Sequence, residues 1–142
     1  MAYYGFGDKE TIIGQVASLI SSISGVAFVD YQRAYDTGIT PDKFPGAFVN
    51  DIDEAKEKIL LDLYKNTLQI GIVAWTRANA SENLWSKVNT FIQAILAKLA
   101  DSPTLNSQAY SSRVTRVTTD SGSRHPIGVF AIVIEVIYFS GK

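Results

Sequence analysis

The sequence predicts an α+β fold in which two helices pack on one face of a single, mostly antiparallel sheet. Three observations predict it. Two segments, 9–23 and 80–100, carry apolar residues at helical spacing. Between and after them lie stretches that alternate like strands and are separated by turn residues. The last of these, 127–139, reads IGVFAIVIEVIYF and is apolar on both faces. One face carries Phe130, Ile132, Ile134, Val136 and Tyr138; the other carries Val129, Val133 and Ile137, with Glu135 as its one charge. A sheet with one face in water needs only one apolar face. Two apolar faces imply that both are covered, by this chain or by another copy.

The first helix has its stripe in Ile12, Ile13, Val16, Leu19, Ile20 and Ile23, with Asp8 as N-cap and Gly25 as stop. Residues 26–33, VAFVDYQR, are β-branched and aromatic and read as a strand. Residues 34–44 hold Gly38 and Pro41 and read as a loop, followed by a short strand at 47–50. Residues 51–66 fit two periods: Ile52, Ala55, Ile59, Leu60 and Leu63 have helical spacing, whereas Ile59, Leu61 and Leu63 alternate. Residues 67–77, TLQIGIVAWTR, form a strand with Leu68, Ile70, Ile72 and Ala74 inward and Val73 and Trp75 outward.

The long helix 80–100 buries Leu84, Trp85, Val88, Phe91, Ile92, Ile95, Leu96 and Leu99. Asn79 with Glu82 suggests a capping box at its start, and Pro103 an exit at its end. Residues 112–119 alternate weakly, and the turn 120–126 joins them to the final strand as a hairpin. Two helices cannot cover both sides of this sheet. The face with Val73, Trp75, Val133 and Ile137 is left over as an expected subunit interface, whereas Trp85 is expected in the core.

Composition narrows the function. At 142 residues the chain has the length of one domain, and it can bury a core without staples. The absence of cysteine excludes disulfides and thiolate chemistry. A net charge of −1 gives no general field toward nucleic acid or anionic membranes. The start, MAYYGFGDKE, is not expected to be a signal peptide, and the apolar runs are too short to span a bilayer as helices.

No catalytic constellation emerges, and the chain is not expected to be an enzyme or to hold a cofactor or metal. His125 sits in a turn between Arg124 and Pro126, with no nucleophile motif to serve. No P-loop or G-x-G-x-x-G occurs. Asp51, Asp53, Glu54 and Glu57 have Lys56 where a calcium loop needs glycine, and read as a solvated turn. Arg113, Arg116 and Arg124 read as surface charge, or as a local contact for nucleic acid or an acidic partner.

The order of elements resembles that of the bacteriophage tail terminator (tail completion) proteins. The residues that carry the resemblance are Phe44-Pro45 before a strand, a strand 68–77 running into a long helix, and a closing apolar strand ending near Tyr138. The resemblance covers nearly the whole chain. It implies that 58–64 is a strand, paired with 67–75 around Lys65-Asn66. It implies a structural virion protein, made in the bacterial cytoplasm, that closes the tail tube as a homo-oligomeric ring, as a rule a hexamer. Its partners would be the tail tube protein and a neck or connector protein, with DNA passing through the lumen. Loop contacts are expected at Tyr35, Asp36, Thr40, Asp42, Lys43, Arg124 and His125. A neck or connector-completion protein and a small-ligand-binding α+β domain are the alternatives.

Overall fold

The computed structural model describes residues 7–26, 28–31, 45–79, 81–120 and 126–141. Within them, α1 (Lys9–Ser21) leads to β1 (Phe28–Tyr31) and then to two long strands, β2 (Gly46–Leu60) and β3 (Leu63–Arg77). Helix α2 (Leu84–Asp101) follows, then β4 (Ser111–Thr119) and β5 (Ile127–Ser140). The sheet order is β1-β2-β3-β5-β4. Strands β2 to β5 pair antiparallel, and β1 lies parallel to Gly46–Val49 at the start of β2.

Both helices pack on one face of the sheet, as expected. The shared core joins Ile12, Val16 and Ile20 of α1 and Phe91, Ile95 and Leu99 of α2 to Val49, Leu68, Ile70, Ile72, Phe130, Ile132, Ile134 and Val136. Phe91 meets Phe130 edge-on at 5.3 Å, a favoured aromatic geometry. Each such side chain contributes roughly 1.5–3 kcal/mol by leaving water. Gly128 lets α2 sit close: a Cβ there would lie 2.4 Å from Val88 Cγ2.

Residues 51–60 and 63–66 are strand, against the helical propensity of the segment, but the turn is not at Lys65-Asn66. Leu60 pairs with Leu63, so the chain reverses at Leu61-Asp62. Asp62 supplies the positive φ of 64° that the reversal needs, which aspartate tolerates. Lys65 and Asn66 cannot turn, because β3 is locked to β5 from Tyr64↔Ser140 onward. The segment 58–64 therefore straddles the turn, and 47–50 is the start of a 15-residue strand.

Helix α2 begins at Leu84, capped by Asn83, whose side chain accepts from the Ser86 N–H at 3.2 Å. The Asn79–Glu82 pair forms, with the Asn79 N–H donating to Glu82 at 2.8 Å, but it closes a separate turn before the helix. Trp85, expected in the core, is 73% exposed. With the start at Leu84, it is Leu84 and Val88 that face Gly128, and Trp85 lies beside that line.

Candidate functional site

The sheet face away from the helices, expected as an interface, is a mixed surface. Val73, Val133 and Ile137 are half-buried by their strand neighbours and remain available to a partner. Trp75 is not: it is 4% exposed within the chain itself. Its ring lies 4.8 Å from that of Phe48 and directly over Gly46, where a Cβ would come within 2.6 Å of the indole. The assignment of Trp75 to a subunit interface is thus corrected to a local aromatic cluster. Sequence alternation placed its face properly but could not show that Phe48 and Gly46 make a seat for it.

The expected loop contacts Tyr35, Asp36, Thr40, Asp42, Lys43, Arg124 and His125 lie outside the described residues. The four acidic residues of β2 are on a strand, not in a turn, and alternation separates them. Asp53 and Glu57 fall on the face away from the helices, and Asp51 and Glu54 on the helix side. Among the described residues, no group of three or more metal-ligating side chains converges, and no helix is long and apolar enough to cross a membrane.

The helix-side carboxylates are engaged locally. Lys9 reaches Asp51 at 3.3 Å, tying the start of α1 to β2. The Tyr138 hydroxyl donates to Glu54 at 2.5 Å. Burial first, and that carboxylate second, push the phenol's pKa well above its ordinary range, so it stays a donor. Lys56 donates to the buried Asn66 at 2.8 Å, and Asn66 in turn donates to Ser140 at 2.9 Å. These contacts satisfy polar groups at the end of the sheet and present no nucleophile–base pair.

A groove of about 310 Å³ lies where the end of α1 meets α2 and the sheet. Its walls are Ile23, Val26, Pro45, Phe91 and Ala94, with Ser24, Thr76, Ser86, Lys87 and Thr90 as polar lining and no carboxylate or imidazole among them.

Two features that periodicity alone did not reveal are the sheet edges. Beyond Val49 no described strand pairs with the outer side of β2, and residues 52–53 and 55–60 are exposed. This arm ends in an apolar tip, with Leu60 64% and Leu61 82% exposed. On the far side of the sheet, β4 has β5 as its one described neighbour, and Arg113 to Thr119 are exposed along it. The signal for the first edge was present in the charged run from Asp51 to Lys58, which an edge facing water tolerates.

No protein-family model and no curated protein matches the chain. Among solved structures, the chain is similar over 91% of its length to 92% of a chain from the virion of a native gene transfer agent particle, at 13% identity and a TM-score of 0.47.

Proposed function

We propose that this chain is a structural virion protein that ends a phage-type tail tube as a closed ring of identical subunits. The ring would meet the tail tube protein on one side and a neck or connector protein on the other, with its lumen open to DNA. Six subunits is the number the resemblance implies.

The observation that carries this reading is a sheet whose two edges, among the described residues, are unpaired and differ from each other, in a chain whose helix, strand, hairpin, helix and hairpin resemble the tail-terminator order. A ring needs a heterologous contact between two different patches of one subunit. One molecule with two unlike edges meets that requirement. The half-buried Val73, Val133 and Ile137 offer further apolar area to a neighbouring copy or to the tube.

The test is electron microscopy of tail tubes assembled from the tube protein of the same genome, with and without this chain. The expected result is a ring at one end of each tube and an arrest of further growth. Binding along the tube wall, or tubes that keep growing, would sink the proposal. Binding to a portal-side ring but not to tubes would favour the neck-protein alternative.

A further inference from the structure

We infer that β4 of one copy adds to the open part of β2 of the next, joining their sheets into one, with Arg113 and Arg116 set against Asp53 and Glu57. This deepens the ring reading by naming the contact that would build it.

Strand direction permits the pairing. Across the sheet, β2 and β5 run one way and β3 and β4 the other. A lateral repeat of the subunit therefore brings β4 beside the next β2 antiparallel, with the same faces on the same side.

The faces match in charge. On the side away from the helices, the open part of β2 shows Asp53, Ala55 and Glu57, all exposed. Its cations, Lys56 and Lys58, project to the helix side. On the same side, β4 shows Ser111, Arg113, Arg116 and Thr118. In-chain neighbours on this face are Lys65 opposite Glu57 and Glu135 opposite Arg113. Glu135 takes the Arg113 Nε–H at 3.2 Å, and the remaining guanidinium donors can serve a second carboxylate.

The lengths match as well. Without a slide, Arg113 already lies in one row with Glu135, Gln69 and Asp53. A slide of four residues, about 13 Å along the strands, sets 111–118 against 53–59, with Thr115 absorbed by the existing irregularity between Val114 and Arg116. Arg113 then faces Glu57, and Arg116 faces Ala55 with Asp53 and Glu57 on its two diagonals, within reach of a long side chain. A stagger of this kind is what tilted strands need when a sheet closes on itself.

Charge also explains why the pairing would be one-way. Two β2 edges would set carboxylates against carboxylates, and two β4 edges arginines against arginines. Charged edges normally block pairing of sheets. Here the block applies to like edges and leaves the unlike combination open, which selects a head-to-tail chain or ring over a two-fold dimer.

The experiment uses the full chain with two double variants, Arg113→Glu/Arg116→Glu and Asp53→Arg/Glu57→Arg, and the quadruple swap that carries all four changes. Light scattering on size-exclusion chromatography reads assembly, and circular dichroism checks the fold. Each double variant is expected to need a roughly hundredfold or higher concentration to assemble, since juxtaposed like charges are strongly unfavourable. Mixing the two double variants, or swapping all four residues in one chain, should restore assembly. Assembly of both double variants at wild-type concentration would overturn this contact while leaving a ring built elsewhere intact. Folded double variants that neither the mixture nor the quadruple swap rescues would also overturn it. A wild-type chain that stays monomeric at its highest soluble concentration would overturn the pairing as a property of the chain, whereas tube capping is read separately by microscopy.

Discussion

Truncating Trp75 to alanine separates a core residue from an interface residue. The side chain is 4% exposed, in tilted contact with Phe48, and seated on Gly46. Removing a buried tryptophan typically costs about 3–5 kcal/mol, from lost burial and the cavity left behind. Part of that, roughly 0.5–1.5 kcal/mol, belongs to the aromatic pair itself. Whole domains are stable by only about 5–15 kcal/mol, so Trp75→Ala should be folded but marginal. Urea unfolding followed by circular dichroism, at a concentration where the chain is monomeric, should show the midpoint falling by about 2 M for a typical slope. Gly46→Ala supplies a second arm. Its new methyl would press into the indole, costing about 1–3 kcal/mol, but much less once Trp75 is alanine, because the two sites share one contact. A Trp75→Ala chain with an unchanged midpoint and lost assembly would refute the seat and return Trp75 to the subunit interface.

Gly128→Ala should destabilise by about 1–3 kcal/mol, because its Cβ meets Val88 under α2; urea titration of Gly128→Ala in a Val88→Ala background should show much of that penalty gone. Trp85→Ala should stay within about 0.5 kcal/mol of the parent in the same titration, since the indole is largely in water. Asp8→Ala should cost about 1 kcal/mol near neutral pH as a lost N-cap. The Thr11 N–H first, and its hydroxyl second, hold the Asp8 carboxyl below its ordinary pKa. A depressed folded pKa means that this stability is present above the ordinary aspartate value and is lost as pH falls through the lower folded one. The gap between Asp8→Ala and its parent should therefore close below about pH 4, as thermal melts across pH would show.

How far the sequence carried depended on whether one period or several neighbours decided each element. The two helical stripes and the alternation in β3 and β5 are local patterns, and the layers they imply are present. The hairpin was harder. Residues 51–66 satisfy both periods, and the register is decided by the ladder that β5 lays against β3 from Tyr64 onward. A single asparagine decided the start of α2. Asn79 and Asn83 both have the right chemistry, and both make capping-type hydrogen bonds, but the helix follows the second. The two tryptophans exchanged roles for a similar reason. Alternation assigns a face, yet burial depends on what sits beside the ring: Phe48 and Gly46 beside Trp75, and Gly128 aligned with Leu84 and Val88 rather than with Trp85. The edges of β2 and β4 became visible only when the strand order was known, because an edge is a property of the sheet and not of the strand.

The ladder between β3 and β5 runs from Tyr64↔Ser140 to Arg77↔Ile127 without a register shift, whereas β2–β3 contains two and β4–β5 one. The middle of the sheet is therefore its stiffest girder, and the irregularities that bend and twist strands lie toward the margins. Hydrogen bonds in an antiparallel pair stand perpendicular to the strands. A pull along the strand direction would load every rung of that girder in shear at once, while a pull across it would open the rungs one after another. A subunit built this way would withstand tension along its strands far better than peeling at its rim, and a single-molecule pulling measurement along the two directions would read that anisotropy directly.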